Sequence, residues 1–216
     1  MIKRLTLLLV ITNVSFVYAI LGGVGINVVN DSFTLDGETF PGPGGIASIE
    51  RTEIGAPIGI GAFAYLTIVP FVDFEASAHL TGSPYDYSYE DLSGNDVSKT
   101  LPFGKFSWSL SAQKPILKIP TIRVYLGLGI NKATFTKIVT PGNMASLDPE
   151  QLDDINYIND NLSTSSTGFH FELGARFKPP IIPFSINANA RYNFIEGVVP
   201  GENGYMTVSM GTAFAI

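Results

Sequence analysis

The stretch VDFEASAHLT, residues 72–81, decides the fold, because on an extended chain it has two unlike faces. Successive side chains of a strand point to opposite sides. Val72, Phe74, Ala76, Ala78 and Leu80 therefore share one face, and Asp73, Glu75, Ser77, His79 and Thr81 share the other. If the second face meets water, the strand belongs to an ordinary soluble sheet. If it points inward, the first face needs a solvent that is not water.

The same period of two recurs along the chain. Phe106, Trp108, Leu110 and Ala112 alternate with Lys105, Ser107, Ser109, Ser111 and Gln113. Ile122 to Ile130 alternate with Arg123, Tyr125, Gly127, Gly129 and Asn131. Phe169 to Phe177 alternate with His170, Glu172, Gly174, Arg176 and Lys178. Phe184 to Phe194 alternate with Ser185, Asn187, Asn189, Arg191 and Asn193, and the closing stretch sets Met206, Val208, Met210 and Phe214 against Tyr205, Thr207 and Ser209. Two weaker stretches, 20–29 and 57–67, bring the count to eight, an even number that suits an up-and-down barrel. The connections alternate strictly between long polar ones (30–56, 82–102, 134–166, 196–204) and short proline-bearing ones near Pro70, 114–121 and 178–183. That is the asymmetry of short periplasmic turns and long extracellular loops.

Composition narrows the alternatives. With 22 Gly, 14 Pro and 24 Phe or Tyr residues, the chain favours strands and turns over helices. A net charge of −6 and the lack of any Lys/Arg cluster speak against a nucleic-acid partner. The absence of cysteine excludes disulfides and thiolate metal sites. At the N-terminus, Lys3 and Arg4 precede the apolar run Leu5–Ile11 and a small residue at Ala19, which reads as a cleaved signal peptide over residues 1–19. Its removal takes two cations and no acid, leaving a net charge of −8 on a single barrel domain, 20–216. No later apolar stretch is long enough for a membrane helix, so membrane residence requires a closed barrel.

The polar face carries eight glycines (23, 25, 59, 61, 127, 129, 174 and 211) beside a few long charged residues, as a narrow, filled lumen needs. On the apolar face, Phe106, Phe169 and Phe194 fall toward the long-loop end and Phe74, Phe177, Phe184 and Phe214 toward the short-turn end. Two aromatic girdles around an aliphatic belt match the interfaces of a bilayer. The fold class expected is all-β: an eight-stranded antiparallel up-and-down transmembrane β-barrel. A soluble periplasmic ligand-binding barrel is the alternative, since a calyx also alternates.

IRVYLGLGIN (122–131), FHFELGARFKPPIIPFSINANARYNF (169–194) and the closing YMTVSMGTAFAI make the chain resemble the small eight-stranded bacterial outer-membrane β-barrel superfamily, the OmpA/OmpX/OmpW-like proteins. The resemblance covers essentially all of residues 20–216 and rests on layout rather than a specific motif. It implies residence in the outer membrane of a Gram-negative-type bacterium, with outer-membrane lipids and the assembly machinery as partners. The family's final strand usually ends in an aromatic residue. Here it ends in Ile216, with Phe214 two positions earlier on the same face. The lipid A deacylase type of barrel carries a His-x-Ser pair on its lipid-facing surface. This chain has His79-Leu80-Thr81 and His170-Phe171-Glu172, with both imidazoles on the polar face.

The charged residues of the polar face are Asp73, Glu75, Lys105, Arg123, Glu172, Arg176, Lys178 and Arg191, three acids against five bases. Charges sealed in a barrel need partners, so an ion-pair plug is expected, with His79, His170, Asn187 and Asn189 as further lumen polar groups. The histidines lack a third ligand at useful spacing, so no metal site, cofactor or enzyme activity is expected. In the long connections, Tyr85 to Asp91 form an acidic, tyrosine-rich run, and Ser146 or Asp148 with Pro149 reads as a helix start. Leu152, Ile155 and Tyr157 would then lie over the barrel rim. PGPGG (41–45) reads as a turn. The expected role is structural or surface-interactive, as a monomer, with a narrow channel for small polar or amphiphilic solutes as the alternative.

Overall fold

A computed structural model of the chain describes residues 21–42, 48–69, 71–90, 93–140, 143, 147, 151–152 and 154–215. The expected export segment, most of the PGPGG turn, the helix-start residues Ser146, Asp148 and Pro149, the side chain of Ile155 and the terminal Ile216 lie outside what is described.

Eight strands form the ring: β1 (Leu21–Asp31), β4 (Ile58–Val69), β5 (Val72–Glu90), β6 (Asp96–Lys118), β7 (Ile122–Thr136), β8 (Ser163–Phe177), β9 (Phe184–Phe194) and β10 (Gly204–Ala215). Each pairs antiparallel with its neighbours, and β10 pairs with β1 from Gly23↔Ala215 to Asp31↔Thr207, which closes the sheet. Two short strands, β2 (Glu38–Phe40) and β3 (Ile49–Arg51), lie in the first long connection, with β3 paired to the upper part of β5. The register fixes the tilt. Followed once round from Lys114 through Leu126, Leu173, Ala190, Val208, Asn30, Ile58 and Gly82, the pairing returns to β6 at Gly104, ten residues away. A stagger of this size tilts the strands by roughly 40°, as closing eight strands requires.

The expected polar loop at 82–102 is instead a continuation of β5 and β6, paired without interruption from Gly82↔Gly104 to Glu90↔Asp96. Pro84 and Pro102 stand opposite each other in it. They are tolerated because β4 stops pairing with β5 at Gly82 and β7 starts pairing with β6 only at Lys105, so neither proline faces a third strand.

Along the long strands the polarity of the two faces inverts. On β5 the inward residues Asp73, Glu75, Ser77, His79 and Thr81 give way to Tyr85, Tyr87 and Tyr89, all buried. The outward face changes in the opposite sense, from Phe74 and Leu80 to Pro84, Asp86 and Glu90. On β6, Leu101 and Phe103 point in above Lys105, Ser109, Ser111 and Gln113, while Ser98, Thr100 and Pro102 point out above Phe106, Trp108 and Leu110. On β7 the switch falls between Asn131 and Ala133 inside and between Ile130 and Lys132 outside. A surface apolar outside and polar inside faces lipid, and one with the opposite order faces water. The inversion therefore marks the upper edge of a bilayer at the height of Leu80, Phe106, Ile130 and Phe169. The outward face of β9 from Phe184 to Phe194 covers ten residue steps, about 25 Å at a rise of about 3.3 Å and this tilt, the height of a barrel's apolar band.

Above that edge the long connections build a second core. Phe40, Ile49, Ile54, Tyr85, Tyr87, Leu101, Phe103, Phe135, Val139, Ile195, Val198 and Val199 are buried together. The helix α1 (Ile155–Leu162) closes over one side, with Asp154 as N-cap accepting from the Asn156 N–H at 2.8 Å. Of the expected apolar stripe, Leu152 is buried in this core and Tyr157 packs against it; Ile158 and Leu162, one helical turn apart, bury the rest of the helix face. Burial pushes the Tyr85 phenol up to about 12, and its oxygen accepts the Val139 N–H at 3.2 Å. The described parts of the long connections thus form a packed cap with a polar outside rather than solvated loops.

Candidate functional site

The lumen is built in three levels. At the short-turn end, Arg123 pairs with Asp73 and donates to Thr67 Oγ1 at 2.9 Å, while Arg176 Nη1 lies 3.7 Å from the same Asp73 carboxylate. The Arg176 guanidinium stacks 3.4 Å from the Tyr65 ring centroid, with Tyr125 on another side at 5.6 Å, and donates from Nε to Asn187 Oδ1 at 2.8 Å. Tyr125 in turn donates to Asn189 Oδ1.

In the middle, Arg191 holds two carboxylates. Its Nη2 is 2.8 Å from Glu172 Oε2 and 3.7 Å from Glu75 Oε1, and its Nη1 donates to Ser109 Oγ at 2.7 Å. Gln113 Nε2 bridges the same two acids, at 3.1 Å to Glu75 and 2.8 Å to Glu172. At the top, Lys105 Nζ meets Asp31 Oδ2 at 2.7 Å and donates to the Tyr205 hydroxyl at 2.7 Å. Asp31 also accepts from Thr81 and Thr207 at 2.6 and 2.7 Å. Tyr205 belongs to the apolar cap, so this level joins plug to cap.

Seven of the eight charged residues expected in the lumen face inward, Arg123 the most accessible of them at 14%. Their balance differs from three acids against five bases. Asp31 is a fourth buried acid, and Lys178 lies beyond the end of β8, half-buried, leaving Asp31, Asp73, Glu75 and Glu172 against Lys105, Arg123, Arg176 and Arg191. Asp31 lies two residues beyond the alternating stretch 20–29, and Gln113, though on the polar face, carries no charge to mark it as a bridge between acids. Asn187 is buried, Asn189 is half-buried, and both bond to neighbours of the plug.

The two histidines stand apart. His79 Nε2 is 3.4 Å from Asn27 Nδ2. His170 Nε2 is 2.8 Å from Ser111 Oγ, the separation of a nucleophile and its base. Glu172, however, approaches that same nitrogen at 3.9 Å, while His170 Nδ1 has no hydrogen-bond partner among the described residues. A relay needs the acid on the other ring nitrogen. Among the described residues no three His, Asp or Glu side chains gather as a metal site.

Outside, the seven girdle phenylalanines Phe74, Phe106, Phe169, Phe177, Phe184, Phe194 and Phe214 all point away from the lumen and are exposed. Phe169 and Phe194 stack at 4.6 Å, Phe171 and Tyr192 join them edge-on, and Phe184 meets Phe214 at 5.6 Å near the other end.

Glycines on the inner face make room for this filling. A Cβ at Gly174 would overlap both Asn189 Oδ1 and the Tyr125 phenol. Gly174→Val is expected to cost about 1–3 kcal/mol or block closure, seen as loss of the compact, heat-modifiable form on a gel. An unchanged mobility shift would show that the lumen is looser than described.

Ring, faces and lumen define a small eight-stranded β-barrel of outer-membrane type. No protein-family model matches the chain, and no curated protein matches it by sequence. Among solved structures it is similar to the outer membrane protein OprG from Pseudomonas aeruginosa (14% identity, 91% of this chain and 95% of that one covered, TM-score 0.49). It is similar also to Ail, the attachment invasion locus protein of Yersinia pestis (15%, 91% and 98%, 0.48), and to Neisserial surface protein A (14%, 91% and 96%, 0.46). These are likenesses of fold, and the barrel assignment itself rests on the closed ring of paired strands.

Proposed function

We propose that the protein is an integral barrel of the outer membrane of a Gram-negative-type bacterium, exported by a cleaved segment over residues 1–19 and assembled as a monomer by the outer-membrane assembly machinery. Its role is structural or surface-interactive: the barrel holds a rigid acidic cap above the bilayer and neither conducts nor catalyses. One observation carries this reading. A plug of four acids and four bases fills the lumen, and an apolar core closes its long-loop mouth. Solute passage would have to break buried ion pairs and open that core together, and unpairing one buried charge alone costs about 3–5 kcal/mol. The Ser111–His170 contact, sealed inside and without an orienting acid, fits a hydrogen bond of the plug rather than a reaction centre.

The test is planar-bilayer conductance of the purified protein. No discrete conductance steps are expected, and regular steps abolished by Arg191→Ala or altered by Glu75→Ala would overturn the closed-lumen reading in favour of a narrow channel. Recovery from cells in the soluble fraction without detergent would overturn membrane residence itself.

A further inference from the structure

The two ends of the barrel have opposite surface chemistry. By sequence, the connections on the cap side, residues 32–57, 83–103, 132–168 and 195–203, hold fifteen carboxylates and four cations. The stretches of the three short turns, 69–72, 114–122 and 178–183, hold Lys114, Lys118 and Lys178 and no acid. Apolar exposure runs the other way. Among the described residues of the cap-side connections no large hydrophobic side chain is exposed, whereas the short turns expose Phe71 (73%), Ile116, Leu117, Ile119, Ile181 (93%) and Ile182. Prolines at 115, 120, 179, 180 and 183 stiffen these turns, and the Lys178 N–H donates to the Thr121 carbonyl at 2.8 Å, tying the β8–β9 turn to the β6–β7 turn.

Turns that merely reverse a chain in water are polar; exposed aliphatic groups beside cations, continuous with the lipid belt, are the composition of an interfacial anchor. We propose that the short-turn end is a membrane-interface site for anionic glycerophospholipids, in which Phe71, Ile119, Ile181 and Ile182 enter the acyl boundary and Lys114, Lys118 and Lys178 meet headgroup phosphates. The lysine stems reach along the apolar surface while their ammonium groups stay at the polar boundary. The occupant is a lipid leaflet rather than a soluble protein because the apolar turns adjoin the lipid-facing girdle residues Phe177 and Phe184 directly in sequence. The site sets the depth and lipid preference of the barrel, and the proposal rests on the membrane reading given above.

The experiment separates the two. The full mature protein is reconstituted in phosphatidylcholine vesicles with and without phosphatidylglycerol, using lipids brominated near the carbonyl. Trp108, the single tryptophan, reports the opposite interface in otherwise unaltered protein. In a Trp108→Phe background, Ile181→Trp reports the turn. Trp108 is expected to be quenched in both mixtures, and the indole at 181 to be quenched about twofold more strongly with phosphatidylglycerol, since basic residues near an anionic surface each favour association. Lys114→Gln, Lys118→Gln and Lys178→Gln together are expected to remove the difference while leaving Trp108 quenching intact. Quenched Trp108 with an unquenched indole at 181 would overturn the anchor and leave the turns to a protein partner. Quenching at 181 indifferent to phosphatidylglycerol and to the lysines would overturn the anionic preference, and unquenched Trp108 would overturn the membrane reading itself.

Discussion

Arg191→Ala is expected to destabilise the barrel by about 3–5 kcal/mol, among the largest effects available to one substitution. Arg191 is 6% exposed and is within 4 Å of the carboxylates of both Glu75 and Glu172. Without it those two acids share one lumen level with Gln113 Nε2 between them, and Arg176, already shared with Asp73, reaches Glu75 at 3.6 Å but not Glu172. The cost comes from the charge left behind more than from the bond lost, because a buried carboxylate without a cation keeps its full desolvation penalty. The measurement is urea unfolding of vesicle-inserted protein followed by gel mobility, where the midpoint should fall by roughly 1–3 M.

A double substitution separates the two contributions. Replacing Arg191 and Glu172 together by methionine removes both charges at similar volume and should cost less than Arg191→Ala alone. If the single variant is as stable as the wild type, the plug is hydrated and the closed lumen is wrong. If the double variant is the worse, the pair contributes net stability that the desolvation argument denies it.

The strands and their faces were readable from the sequence because period two is a local signal, and each of the eight stretches carries it over several residues. The closure and the ion-pair plug follow from the same signal, since knowing which residues face inward brings Asp73, Glu75, Glu172 and Arg191 together without any knowledge of distance. What escaped was most of what lies above the bilayer edge, the rim contacts of Leu152 and Tyr157 apart. There the alternation persists but changes sign: Tyr85, Tyr87 and Tyr89 continue the series of Asp73 and Glu75 on β5, and Leu101 and Phe103 continue that of Lys105 and Ser109 on β6. A pattern followed for one polarity ends at the inversion, and Gly82, Pro84, Pro102 and Gly104 look like loop residues at that very place. The cap itself was beyond sequence reasoning for another reason. Its core joins Phe40, Ile54, Leu101, Val139, Leu162 and Val198 from all four long connections, and nothing local encodes that meeting.

The inversion predicts that the same change has opposite consequences on one face of the barrel. Leu173 is outward and 51% exposed midway along the apolar band of β8, so Leu173→Arg places a guanidinium near the bilayer midplane at about 2–4 kcal/mol. Ser98 is also outward and exposed, but on β6 above the edge, so Ser98→Arg should fall within about 0.5 kcal/mol of the wild type. Phe103, five residues further along that strand and turned inward, is 1% exposed, so Phe103→Ala should cost about 3–5 kcal/mol by emptying the cap. All three are measured in the same vesicles by urea unfolding. A soluble barrel would reverse the first result, because an arginine in place of an exposed leucine is harmless or helpful in water. Equal effects at 173 and 98 would place both positions in one solvent, and the bilayer edge drawn at Phe106 would have to be abandoned.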